Sequence, residues 1–304
     1  MKKNQKTNQR HQAFSLIEIS IVILIIGILL VGVTQSSRLV NQIKISSAQS
    51  ITRSSEVSSI SDIVFWAETT LDGALTNVNG SFQFEDGNSI SSWNDINIRS
   101  NPKINVLQSN TSFQPTFKQN GINGLPSVSF NGTNQIFIST TIAPLPANDK
   151  NYSLVLVWRA NSVSVAAGQM LMSQTGNPVN NNEGGSMFIT ASSTYGFAGI
   201  GNDAFPTSVS PNINYISIIT VNNTLATNNI SLYTNSNTAT NSTSTNPSTL
   251  QLASARFSIG GRADSLQFFG GLISEAIVFD RTLRSDEVRA INNYLGKKYS
   301  IKIS

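Results

Sequence analysis

The sequence has no cysteine, which excludes disulfide frameworks, thiolate nucleophiles and Cys-ligated metals together. Its only histidine is His11, near the start of the chain. The remainder therefore offers no imidazole base, no Ser–His–Asp triad and no His–metal site. Excess charge is also missing once the net value of +4 is located. Lys2, Lys3, Lys6 and Arg10 lie within residues 1–13, which hold no acid, and the other 16 basic residues match the 16 acids in number. A nucleic-acid surface needs Lys and Arg clustered on a folded face, so nucleic acid is not an expected partner. Proline is absent before Pro102, and nothing in that stretch forbids a long helix.

One long apolar run is present, Phe14–Val33, and a single acid, Glu18, interrupts it. About 20 residues make a helix of roughly 30 Å, the thickness of a bilayer's hydrocarbon core. Basic residues crowd the side before the run, while only Arg38, Lys44 and Arg53 follow within a comparable distance. The positive-inside rule then predicts a cytoplasmic N-terminus, with everything after Val33 outside the inner membrane. A cleaved signal peptide would end in a small-residue site soon after the run. Here Thr34, Gln35 and Ser36 follow, and the triplet Ser46–Ala48 lies too far downstream. A plain signal anchor fits the orientation but gives no reason for a carboxylate inside the span.

A third reading accounts for that carboxylate. Ala13-Phe14-Ser15-Leu16-Ile17-Glu18 resembles the prepilin processing motif of type IV pilins and type II secretion pseudopilins. The resemblance covers roughly the first fifty residues and joins basic leader, motif and apolar helix in order. It implies that a prepilin peptidase cuts between Ala13 and Phe14 and methylates the Phe14 amine. It also implies that Glu18 guides assembly with other pilin or pseudopilin subunits. Ala13 departs from the pattern, which usually has Gly there. Beyond the span, Leu39, Ile43, Ala48, Ile51 and Val57 recur at loosely helical intervals. A helix to about Ser59 is expected, its alternative being a Ser-rich tether.

From about Ser61 short apolar runs alternate with Asn, Gly, Ser and Pro. Tyr152–Trp158 reads as a largely buried strand; Leu125–Phe130, Gln135–Ile138, Ser186–Thr190, Tyr215–Val221, Ile230–Tyr233 and Phe257–Ile259 are further candidates. Turn pairs such as Asn131-Gly132 and Asp86-Gly87 separate strands, and no βαβ alternation or phosphate-binding glycine pattern occurs. Gly199-Ile200-Gly201 is read as sheet or loop. The composition predicts an all-β sandwich or jelly roll. A closing helix is predicted with Ser285 as cap, Asp286 and Glu287 at its positive end and Lys297 and Lys298 at its negative end. Val288, Ile291 and Leu295 supply its apolar face.

Three segments carry a second resemblance, to the laminin-G-like form of the concanavalin A-like lectin superfamily. They are Asp62–Trp66, Gln114–Gly132, and Phe269–Glu275 continuing through Asp280-Arg281 to Lys298-Tyr299. The Asn/Ser/Thr-rich stretch Asn222–Thr249 is a gap in the match. The expected organisation is a leader (1–13), a pilin-type helix (14–60) and a mainly β jelly-roll head (61–304) with a short C-terminal helix. This fold hosts lectins, glycosidases and adhesion modules, so function must be argued from a site.

A retaining glycosidase needs two carboxylates about 5 Å apart. The Glu-x-Asp-x-x-Glu signature implied by the resemblance is absent. Glu275 and Asp280 are at odd spacing and point to opposite faces of a regular strand; Glu85 and Asp86 are adjacent and share the problem. Laminin-G-like domains often carry calcium, for which Asp95 and Asp264 are candidate ligands, the alternative being turn formation. Trp93 is a candidate sugar-stacking residue and Trp158 a second, the alternative being core. The expected function is a minor pilin or pseudopilin displaying a head that binds a glycan or surface protein, without enzyme activity. The rival is an inner-membrane-tethered glycan hydrolase, and a third reading is a purely structural assembly component.

Overall fold

The computed structural model describes residues 15–139, 143–145, 151–176, 180–245, 252, 256–264 and 266–304. Ala13 and Phe14 lie outside them. The chain forms two compact units, one ending at Lys44 and one comprising Ile45–Ser304. Helix α1 (Leu16–Arg53) begins on a reciprocal cap: Ser15 Oγ accepts the Ile17 N–H at 3.3 Å, and Glu18 accepts the Ser15 N–H at 2.8 Å. Hydroxyls within the helix bond the carbonyl four residues back, Ser20 to Leu16 and Thr52 to Ala48. The Ser-rich stretch is therefore helix, not tether. It stops at Arg53, and a 3-10 turn over Glu56–Ser59 follows. Among the described residues no helix is long and apolar enough to cross a membrane; the apolar run Phe14–Val33 lies partly outside them.

The strands are β1 (Ile63–Glu68), β2 (Leu75–Thr76), β3 (Ser92–Trp93), β4 (Val106–Leu107), β5 (Thr116–Lys118), β6 (Ser127–Asn131), β7 (Phe137–Ser139), β8 (Asn151–Ala160) and β9 (Gln169–Thr175). There follow β10 (Gly184–Ile189), β11 (Thr194–Ala198), β12 (Ala204–Ser208), β13 (Tyr215–Asn222), β14 (Ile230–Thr234), β15 (Thr240–Ser242), β16 (Arg256–Ile259) and β17 (Gly270–Phe279), then helix α2 (Ser285–Tyr299). They form two antiparallel sheets. The first runs β15-β14-β13-β8-β17-β6-β5, with β1 also paired to β17; the second runs β12-β11-β10-β9-β16-β7-β4-β3-β2.

Alternation along the strands sends one set of side chains between the sheets. Phe65, Trp93, Phe130, Phe137, Trp158, Phe257 and Phe269 fill that space. A second apolar layer covers the outer face of the first sheet, where Val288, Ile291 and Leu295 of α2 meet Ile216, Ile218 and Ile277. Ala48, Val57 and Ile60 belong to this layer too. The end of α1 and the 3-10 turn are thus part of the head's packing, and the Gln49 amide donates to the Thr70 carbonyl at 2.7 Å.

One local expectation changes, and two segments add detail to the others. Ser285 does not cap α2; it is the first helical residue after Arg284. Glu287 closes that end by accepting the Arg284 N–H at 2.9 Å while also holding the Arg281 guanidinium through two bonds of 2.7 Å. The described part of Asn222–Thr249 contains β14 and β15. Ile230 and Leu232 of β14 join the core, and beside them Asn229 donates to Asn223 and Ser244 and accepts the Ser244 N–H. Finally, β9 is a fully buried inner strand that hydropathy does not announce.

Candidate functional site

Register places Glu68 of β1 directly opposite Glu275 of β17, both facing α2. From the last turn of α2, Lys298 reaches between them. Its Nζ lies 2.8 Å from Glu68 Oε2 and 2.8 Å from Glu275 Oε2, and all three side chains have no solvent exposure. Thr70 donates to Glu68 through its N–H and hydroxyl, and Leu71 through its N–H. Glu275 Oε1 accepts the Trp66 indole N–H at 2.8 Å and the Tyr294 hydroxyl at 2.7 Å; Oε2 accepts the Tyr299 hydroxyl at 3.0 Å. Burial pushes the Glu68 carboxyl up, but the Lys298 charge and these hydrogen bonds outweigh it and hold it below its ordinary range. Burial likewise pulls Lys298 down, yet the charges of Glu275 and Glu68 raise it overall. Burial, and then the Glu275 charge, push both tyrosines well above their usual value. Lys298 is therefore not a solvated charge at a helix end, as its position suggested, but the centre of a buried ion cluster.

The residues singled out from sequence do not converge. Trp93 is fully buried in the core, tilted against Phe137, with its indole N–H on the Glu68 carbonyl at 2.8 Å; no sugar can reach it. Trp158 is equally buried, stacked on Tyr215 at 4.7 Å. Asp95 is a loop organiser, its Oδ1 accepting the N–H groups of Trp66 and Asn97. Amide protons aimed at that oxygen occupy the place a cation would need. Asp264 is held by both arms of the Arg262 guanidinium, at 2.9 and 2.8 Å. Both carboxylates are thus engaged by protein donors, and among the described residues no group of three His, Cys, Asp or Glu could hold a metal. Asp86 pairs with Lys118 on the surface. Glu275 turns under α2 while Asp280 is exposed beyond β17.

A cleft of a different character opens on the outer face of the second sheet. Met187 and Ile189 point into the core, so Phe188 between them points out; likewise Ala204 points in and Phe205 out. The two outward rings pack against each other, centroids 5.8 Å apart, and together form one side of a cavity of about 190 Å³. Met170, Ile200, Asp203, Arg262 and Gln267 complete its wall. Phe188 packs so closely on Gly168 that a Cβ there would lie 2.1 Å from the ring, and Gly168 has φ of +68°. Ile200 has φ of 58°, a strained value for a β-branched residue. Asp203 accepts the Gly199 N–H at 2.9 Å, and burial raises its carboxyl above the ordinary value despite that bond. The Gln267 amide donates to the Ala167 carbonyl, while its buried Oε1 meets no protein donor. Sequence reading missed this cleft because its residues come from four separate segments. The one available signal was outward-facing Phe in two strands of one sheet.

Among curated proteins none matches this sequence. A sialidase from Trypanosoma rangeli in complex with sialic acid superposes with a TM-score of 0.50 at 13% identity, over 81% of this chain and 34% of the sialidase. The Trypanosoma rangeli sialidase with 2,3-difluorosialic acid gives 0.50 at 14% identity, over the same shares. The chain thus spans about a third of the sialidases' length, and at these identities the likeness shows the fold alone. A prokaryotic N-terminal methylation motif matches residues 8–34, which implies processing by a prepilin peptidase and pilus or pseudopilin assembly. The family model of the concanavalin A-like lectin/glucanases superfamily matches residues 130–289, more than half of the chain. Behind its type IV pilin-like N-terminus, the chain belongs to the concanavalin A-like lectin/glucanases superfamily.

Proposed function

We propose that this protein is a minor pilin or pseudopilin whose head binds glycan in the cleft lined by Phe188 and Phe205. The N-terminal helix anchors it in the inner membrane with its start in the cytoplasm, and the mature chain begins at Phe14. The side chains of Leu16–Val31 support this, since the apolar ones are 50–84% exposed around the whole helix, an arrangement that needs lipid or neighbouring helices. One observation carries the head's assignment: two outward aromatic rings beside the Asp203 carboxylate and the Arg262 guanidinium in one open cleft. Apolar ring faces suit the C–H faces of a sugar, and planar polar groups suit its hydroxyls.

Binding without hydrolysis is the reading favoured here. The carboxylates that share one lysine, Glu68 and Glu275, are sealed beneath α2, whereas a glycosidase pair must flank a bound sugar. The test is glycan-array binding by Ile45–Ser304 and its Phe205→Ala variant. Binding that falls at least tenfold in the variant supports the cleft. Equal binding by both moves the site elsewhere, and turnover of a bound glycan would establish the hydrolase instead.

A further inference from the structure

The ion cluster beneath α2 has more in it than a salt bridge requires. A lysine amine sits between two carboxylates at 2.8 Å each, with no exposure to water and with the Tyr294 and Tyr299 rings 5.7 and 5.2 Å away. The two oxygens of Glu275 are differently dressed. Oε1 accepts two strong donors, Trp66 Nε1 and the Tyr294 hydroxyl, and takes nothing from the lysine. Oε2 faces Lys298 Nζ and the Tyr299 hydroxyl. Donors gathered on one oxygen are what a developing oxyanion needs. The second carboxylate, Glu68, contacts the amine from the other side.

We infer that Lys298 and Glu275 condense to an intramolecular isopeptide bond, with Glu68 as the proton carrier. Glu68 Oε2 takes a proton from the ammonium along their hydrogen bond. Nζ then adds to the Glu275 carboxyl carbon, and negative charge collects on Oε1 between Trp66 and Tyr294. The carbon–Oε2 bond breaks. Oε2 leaves as water with the two protons that the nitrogen has lost, and Glu68 ends ionised as it began. One ammonium and one carboxylate become one amide and one water, so no oxidant or activating group is required.

Two physical circumstances favour the step. The reacting groups are held in contact by the fold, which replaces the entropy of a bimolecular encounter by effective molarities of about 10⁵–10⁸ M. Three charges with no water are also costly to keep, and condensation removes two of them. Once the water has escaped, nothing in the sealed site can hydrolyse the amide. The bond would fasten α2 to β17 covalently in a chain that has no cysteine for a disulfide.

The experiment is the intact mass of the full chain in denaturant, followed by tryptic mapping. The expected mass is one water below that of the unlinked chain. The expected branched peptide joins Ala263–Arg281 to Lys298–Lys302, because trypsin cannot cut after an acylated lysine. The Glu68→Gln chain should show the full mass, since an amide cannot carry the proton. A wild-type chain at full mass overturns the inference, and this measurement needs no variant to fold. A branch mapped from Lys298 to Glu68 overturns the assignment of Glu275 as the acylated residue.

Discussion

The two sheets of the head carry acids, a cation and aromatic rings on their outer faces, yet the faces are opposites. On the first, α2, the 3-10 turn and the end of α1 close over Glu68, Glu275 and Lys298 until none is exposed. On the second, among the described residues, Phe188, Phe205 and their polar neighbours line an open cleft. The same residue types are therefore sealed where a helix excludes water and left accessible where none does. Residue identity does not separate the two; access does.

Predictions can test that contrast, beginning with the largest effect. Replacing Lys298 by Met leaves two carboxylates facing each other in a sealed site and removes any link to Glu275, and should cost at least about 3–5 kcal/mol in urea unfolding of Ile45–Ser304. A loss under about 1 kcal/mol, the value of an exposed pair, would mean that water enters and the two faces are alike. Next is Glu287→Gln, which keeps an acceptor for the Arg284 N–H but removes the charge and one of the two oxygens that hold Arg281, at a cost of about 1–2 kcal/mol. The Arg281 hydrogen bonds hold the Glu287 carboxyl below its ordinary value of 4.5 against the effect of burial. Its stabilisation is therefore complete above that value and is lost as pH falls through the lower folded one. Urea midpoints of the two proteins should converge on acidification and differ most near neutrality.

On the open face the effects should fall on binding instead. Phe205 is half-buried, so Phe205→Ala should cost only about 1 kcal/mol of stability while glycan binding drops at least tenfold. A larger loss of stability with binding intact would make the cleft part of the core. The smallest effect on the head is expected from Glu18→Val, which lies in the other compact unit. Leader cleavage and head unfolding should be unchanged while filament incorporation is lost. Normal incorporation on immunoblots of sheared filaments would limit Glu18 to the cap it makes with Ser15.

Much of the fold was legible because strand alternation and turn residues are local signals. Tyr152–Trp158, Tyr215–Val221 and Phe257–Ile259 all lie within strands. The inner strand β9 was not, since Gln169, Ser173 and Gln174 interrupt its apolar pattern. They are buried because the Gln174 amide brackets the Leu145 backbone and Gln169 bonds Ser162 and Gly270. Only the folded chain shows those partners. The sites were less legible for a related reason. Asp95 beside Trp93 looks like a ligand pair, but the tryptophan faces inward and the carboxylate is consumed by amides. Lys298 looks like a helix-end charge until β1 and β17 bring Glu68 and Glu275 to it across more than two hundred residues in one case.

The junction at residues 45–63 has a mechanical meaning. Gln49 is bonded to the Thr70 carbonyl, Thr52 Oγ1 lies 3.2 Å from the Tyr294 hydroxyl, and Ala48, Val57 and Ile60 are buried. There is no slack between the last turns of α1 and β1. Within Ile45–Ser304, load reaching residues 45–53 is thus shared at once among α2, β1 and the Thr70 loop, so no single element of the head has to carry it alone.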